Sequence, residues 1–337
     1  MNDVAKAWAE IGKDAPAKGG WIVRRLFPGS PHGIQAAVRS DDGTFALLFE
    51  VSTRSLPAAN STPDCIGFRL DIETVEKGPN GRCRLCLVLK DKSYGEIFST
   101  LSQDVAGCVA GVMTERAAVQ TVLSRLSTWQ RFLERFGQGT LTIEQQAGLF
   151  AELTVLEQDL LEPLGTGAAV NAWRGPFREV HDFRTERVSI EVKSSLASAG
   201  ATFRVSSLEQ LDPGNASCLL IRHVALSVGH GIGEALPDIV GRLREALKKQ
   251  DPGAATRFDG SLMECGYLDD HAGAYAENGL SVRASRWFEV REGFPRLLPG
   301  SVPAGIVAAN YAVALELCAP FEIAADVAKQ WISSRAL

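Results

Sequence analysis

The sequence predicts a mixed α/β (α+β) chain, with a central mixed sheet flanked by helices and an antiparallel β-rich region ahead of it. Three observations carry this. Short apolar runs punctuated by turn residues fill positions 20–90. Near Tyr94 the apolar period changes to that of a helix. From Thr142 to about 250 the order is helix, short strands, short helix, buried strand, helix, an α/β unit whose strand ends suit a site. The expected divisions are a β-rich region at 1–92, a helical connection at 93–140, a core at 141–250 and an α/β extension at 251–337.

In the first region the runs Trp21 to Val23, Gly33 to Val38, Thr44 to Val51, Phe68 to Thr74 and Arg82 to Leu89 read as strands. Turns at Asp41-Asp42-Gly43 and Gly78-Pro79-Asn80-Gly81 suggest an antiparallel meander. No catalytic set is recognisable there, so substrate reading, partner docking and stability all stay open. Leu101, Val105, Cys108, Val109 and Val112 then recur at helical spacing. A second helix follows Thr114-Glu115 through Val119, Val122, Leu123, Leu126 and Phe132 to Phe136, and stops at Gly137 and Gly139.

The next helix starts at Thr142, with Gln145 completing a capping box, and its stripe is Leu149, Leu153, Leu156 and Leu160. Glu152 falls within that stripe. A carboxylate aimed at a core is costly unless it is paired or bound to a metal, and the bland alternative is an edge glutamate that reaches solvent or an arginine.

The chain is organised around residues 173–193, WRGPFREVHDFRTERVSIEVK. Val188, Ile190 and Val192 alternate with Ser189, Glu191 and Lys193, so one strand face is apolar and the other presents Glu191 and Lys193 together. Phe177 to Phe183 reads as a second short strand, and Arg184 to Arg187 as the turn of a hairpin that brings Asp182 close to Glu191. Two converging carboxylates raise each other's pKa and are tolerated mainly around a cation. His181 falls on the strand face opposite Asp182 and receives no role.

Beyond the hairpin, Ala201 to Val205 reads as a strand and Ser207 to Gln210 as the start of a short helix. Ser207 and Gln210 fit a helix cap, and Gln210 also fits a site-facing amide, two readings that do not exclude each other. Cys218 to Val228 is a buried strand, and Ile239, Leu243 and Leu247 mark a helix. Val282 to Val290 suggests a strand, while Val307 to Leu315 fits strand or helix. His230 and His271 lack partners at metal spacing and read as surface loop residues.

Composition narrows the setting. The net charge of −5 over 337 residues argues against a protein that coats nucleic acid, yet Arg174, Arg178, Arg184, Arg187 and Arg204 could form a local basic cleft. No apolar segment resembles a signal peptide or a membrane span, so a cytoplasmic protein is expected. The seven scattered cysteines fit reduced, mostly buried thiols. Cys83 and Cys86 form a lone CxxC without the second pair that zinc requires.

Taken together, Glu152 in GLFAEL, Asp182 in HDF, Glu191 and Lys193 in IEVKSS, and Gln210 in SLEQL resemble the PD-(D/E)XK nuclease superfamily, with its restriction-endonuclease-like fold. The Trp173-Arg174-Gly175-Pro176 segment is similar to that of a bacterial branch found in islands resembling restriction-modification and phage-defence systems. His181 stands where the superfamily's name records a proline. The resemblance covers roughly residues 142–250 and implies Mg2+, with Mn2+ as a substitute, held by Asp182 and Glu191 with support from Glu152. It implies that Lys193 positions water and offsets charge, that Gln210 orients Lys193 or meets a phosphate, and that DNA is the substrate. The same resemblance implies methyltransferase and ATPase subunits as partners, the second because no GxxxxGK[ST] motif is present, and a homodimer for double-strand cleavage. A non-catalytic DNA-binding or assembly subunit of the same fold is the competing expectation, and a structural adaptor with a fortuitous motif is a third.

Overall fold

The structure is a computed structural model and describes residues 2–12, 19–56, 66–75, 81–196, 202–214 and 216–333. The expected turn at Gly78 to Asn80, Cys65 and the strand start at Ala201 lie outside these. The chain divides into two compact units, residues 1–139 and 140–337. The fold is mixed α and β, with an antiparallel sheet in the first unit and a mixed sheet in the second.

The first unit opens with α1 (Val4–Ile11), capped by the Asp3 side chain, which accepts from the Lys6 N–H. Five strands follow: β1 (Trp21–Arg25), β2 (Gly33–Arg39), β3 (Phe45–Ser52), β4 (Phe68–Thr74) and β5 (Arg82–Leu89). Their order is β1-β2-β3-β5-β4, so the expected meander holds for three strands and then inverts. Composition explains the inversion. RCRLCLVL in β5 is the more apolar strand and takes the inner position, whereas FRLDIET in β4 places Arg69, Asp71 and Glu73 on an edge, where charge discourages further pairing. Helices α2 (Gly95–Ala110) and α3 (Glu115–Phe136) complete the unit. Trp8 of α1 stacks on Phe45 and Phe98, with centroids 5.0 and 5.4 Å away.

Cys83 and Cys86 are three apart on β5, so their side chains leave opposite faces of the sheet and cannot share an ion. All six described cysteines are free. Cys108 is exposed and Cys218 and Cys265 are half-buried, so burial is less general than the sequence suggested.

In the second unit α4 (Ile143–Val155) has the expected capping box between Thr142 and Gln145. It runs through a π-helical turn at Leu156–Leu160 into α5 (Leu161–Leu164) and α6 (Thr166–Ala172). Next come β6 (Phe183–Arg184), β7 (Val188–Leu196), β8 (Thr202–Val205), β9 (Cys218–His230) and β10 (Glu234–Ala235). The chain continues with α7 (Leu236–Gln250), α8 (Pro252–Glu264), α9 (Ala272–Tyr275), β11 (Asn278–Glu289), β12 (Tyr311–Ala314), β13 (Glu322–Ile323) and α10 (Ala325–Ser333). Among the described residues no helix is long and apolar enough to cross a membrane.

The main sheet has the order β10-β11-β9-β7-β6, with β13 on β11. β7 and β9 are parallel, from Val188 opposite Cys218 to Leu196 opposite Leu226, and the other pairs are antiparallel. β8 pairs with β12 apart from this sheet. An apolar cluster including Phe203, Leu211, Leu219, Ile221, Phe288 and Val313 packs against one sheet face. That face is also the one from which Glu191 and Lys193 project, since Glu191 is in register with Ile221.

Two local expectations are corrected. Of the expected strand Phe177 to Phe183 only Phe183 pairs, because Gly175–Phe177 forms a 3-10 turn and Arg178 takes the left-handed region at φ 58°. Of Val307 to Leu315 only Tyr311–Ala314 is a strand, and a 3-10 segment begins at Leu315.

Candidate active site

The hairpin turns at Thr185, whose N–H donates to the Val188 carbonyl and whose hydroxyl accepts from the Val188 N–H. Pairing Phe183 with Ile190 sets the register that carries Asp182 beside β7. There the Val192 N–H donates to Asp182 Oδ2 at 2.7 Å. The Asp182 backbone is held from the other side, its carbonyl accepting from the N–H groups of Arg174 (2.6 Å) and Gly175 (2.9 Å). Asp182 therefore reaches its place without regular strand structure, through backbone donors on two segments.

Glu191 and Lys193 share a face of β7, as their alternation predicts, and both are buried, at 2 % and 8 % exposure. Lys193 Nζ donates to Glu191 Oε1 at 2.8 Å and to Gln210 Oε1 at 2.8 Å. The Ser206 N–H also donates to Gln210 Oε1, at 2.8 Å. The helix-cap reading of Gln210 fails: the 3-10 turn is Glu209–Leu211, with Leu208 before it and no side-chain cap bond. Gln210 turns its amide oxygen to the lysine instead.

Glu152 is half-buried on α4. Its Oε2 accepts from the Trp173 Nε1–H at 2.7 Å. A β-carbon added to Gly175 would stand 2.8 Å from Glu152 Oε2 and 2.9 Å from Asp182 Oδ1, so the two carboxylates converge on that glycine. Sequence reasoning named the WRGP segment without giving Trp173 or Gly175 a task. The signal was present as a tryptophan and a glycine two apart, directly upstream of the aspartate.

The electrostatics follow from burial. Glu191 is pushed up to about 8, first by loss of water and then by the Asp182 charge, with Lys193 opposing. Asp182 is pushed up to about 6 by burial, against the Val192 N–H and Lys193. Glu191 Oε2 is buried without a hydrogen-bond partner. Two desolvated carboxylates, one with an orphaned oxygen, fit a divalent cation. Among the described residues no three His, Cys, Asp or Glu side chains are already gathered as a ligand set. The pair would be completed by carbonyl oxygens and water, which a hard ion such as magnesium accepts.

His181 is buried, and burial lowers its pKa. It lines a cleft of about 600 Å³ with Arg178, Arg184, Ser189, Glu209 and Asp212. A second cleft, of about 750 Å³, has Arg174, Arg184 and Arg187 in its wall. Arg174 and Arg184 both approach Glu179, at 3.7 and 3.6 Å, and Arg178 and Arg187 are exposed. The expected loop placement of two histidines is corrected: His230 is the last residue of β9, and His271 ends a 3-10 turn with its Nδ1 3.4 Å from the Tyr275 hydroxyl.

Residues 4–316 match the family model DUF4420, described as a "Putative PD-(D/E)XK family member". The chain belongs to this family. No curated protein and no solved structure matched. The match spans nearly the whole chain, so membership in this nuclease-like PD-(D/E)XK family extends well beyond the motif-bearing stretch that the sequence resemblance covered.

Proposed function

We propose that the chain is a metal-dependent deoxyribonuclease that hydrolyses phosphodiester bonds in DNA. The observation that carries this reading is the meeting of Asp182, Glu191, Lys193 and Gln210 around the buried carboxylate of Glu191 and the half-buried one of Asp182, both of raised pKa. Asp182 and Glu191 would hold Mg2+ or Mn2+, with Glu152 supporting the site from across Gly175. When bound, such an ion supplies charge for the phosphate and a more acidic water.

The chain's own residues supply the rest. Lys193 is the last of the buried residues along β7, where a fixed positive charge counts for more than in water and offsets charge that builds on a phosphate. Gln210 limits the swing of that ammonium by accepting a hydrogen bond from it. Arg174, Arg178, Arg184 and Arg187, on the loop before Asp182 and on the hairpin turn, offer guanidinium forks for the DNA backbone. The setting we propose is a restriction-like defence system in the cytoplasm, with methyltransferase and ATPase subunits as partners and a homodimer for double-strand cleavage.

One observation favours a second reading. Lys193 and Glu191 are already paired at 2.8 Å, as in a non-catalytic subunit that keeps the fold for DNA binding or assembly. The deciding experiment is cleavage of supercoiled plasmid with Mg2+ or Mn2+, comparing wild type with the Asp182→Ala/Glu191→Ala double variant. Metal-dependent nicking by the wild type alone supports the nuclease. Equal nicking by both, or none from a folded wild type with its partners supplied, overturns it in favour of the non-catalytic subunit.

A further inference from the structure

The turn between α6 and β6 holds Glu152 by its carboxylate and Asp182 by its main-chain carbonyl. Trp173 is 1 % exposed, packs on Phe258 with ring centroids 5.8 Å apart, and forms an isolated bridge with Phe183. Its indole is therefore fixed, and its Nε1–H donates to Glu152 Oε2 at 2.7 Å. A locked indole donor selects one direction for a flexible carboxylate.

Two residues on, the N–H of Gly175 and that of Arg174 hold the Asp182 carbonyl. Gly175 does not have a positive φ, so an alanine could adopt its backbone. A β-carbon there would push Glu152 Oε2 and Asp182 Oδ1, at 2.8 and 2.9 Å, out of their places, and these are side-chain ends that can move without disturbing the fold.

We propose that Trp173 and Gly175 are positioning residues: Trp173 aims Glu152 at the space beside Asp182, and the missing side chain of Gly175 keeps that space open for a divalent cation. The assignment rests on the metal-binding reading of Asp182 and Glu191 above. It adds the device that sets the third carboxylate, and it explains the tryptophan and the glycine of the WRGP segment by one geometry.

The test is Mn2+ titration by calorimetry on the full chain, with the melting temperature of each metal-free variant measured alongside. Gly175→Ala should weaken Mn2+ binding at least ten-fold, the lower end of the range for residues that orient ligands, while the metal-free protein melts close to wild type. Trp173→Phe should weaken binding about ten-fold in the wild-type background. The same change should have no further effect in Glu152→Gln, because the indole then has no carboxylate to aim.

Wild-type Mn2+ affinity in Gly175→Ala overturns the proposal while leaving the metal reading intact. So does an equal loss from Trp173→Phe with or without Glu152, which marks a purely structural tryptophan. If Trp173→Phe does not fold, the Gly175→Ala result decides. Absence of Mn2+ binding by the wild type overturns the metal reading and this proposal together.

Discussion

Lys193 Nζ stands 2.8 Å from Glu191 Oε1 and 2.8 Å from Gln210 Oε1, two residues along the same strand face from the glutamate it pairs. The ammonium compensates one oxygen of Glu191 and leaves Oε2 buried without a partner. Without a cation the site is therefore short of positive charge, and its behaviour with pH follows from that.

The metal-free protein should lose stability as pH rises. Glu191 and Asp182 have folded pKa values raised to about 8 and about 6, above their ordinary values of 4.5 and 3.8. The stability such groups contribute is fully present below the ordinary values and is lost as pH climbs through the raised ones. Each unit of separation corresponds to about 1.4 kcal/mol. Urea melts of the metal-free chain from pH 5 to pH 9 should show the decline, and Glu191→Gln should flatten it. A wild-type profile that is level across this range would contradict the raised values.

Mg2+ binding should release protons near neutral pH. At pH 7 a carboxyl of pKa about 8 is mostly protonated, and a ligand must be ionised. Calorimetry in two buffers of different ionisation enthalpy should give different apparent heats, and the difference should shrink towards pH 9. Identical heats at pH 7 would mean that Glu191 is already ionised or does not ligate.

Gln210→Leu should slow DNA cleavage by at least ten-fold without weakening metal binding. The amide oxygen is shared by Lys193 Nζ and the Ser206 N–H, so its loss frees the ammonium and leaves a backbone donor unpaired. Cleavage rates at saturating Mn2+ check this. A rate equal to wild type would reduce Gln210 to a loop residue.

The buried pair Asp159–Arg222 serves the fold. Arg222 Nε donates to Asp159 Oδ2 at 3.0 Å, and its guanidinium lies 4.8 Å from the Trp287 ring centroid. Asp159→Ala should destabilise the chain by about 3 kcal/mol, since breaking a buried pair leaves an uncompensated charge. Denaturant midpoints measure the loss, and Mn2+ affinity of the folded fraction should stay unchanged.

Much of this was readable from residues alone. The alternation of Val188 to Lys193 is a local property of a strand, so the shared face of Glu191 and Lys193 follows from the period of two. The Thr142–Gln145 capping box is likewise a four-residue device. Glu152 stands out by falling within an apolar helix stripe, Asp182 by the short hairpin that leads to Glu191, and Gln210 by its place after them in the motif.

Only the tertiary structure decided how those residues meet. Arg178 in the left-handed region breaks the expected strand before Asp182, and backbone donors from Arg174, Gly175 and Val192 place the aspartate instead. Ser207 and Gln210 have the spacing of a helix cap, yet the glutamine is drawn to Lys193, a charged donor without water around it. The inversion of β4 and β5 and the junction of β7 with β9 depend on which strands bury more apolar surface against each other. Local spacing specifies faces and caps because these involve a few neighbouring residues. Strand order, desolvation and the contact of Trp173 with Glu152 depend on residues far apart in sequence, whose meeting is set by packing the whole unit.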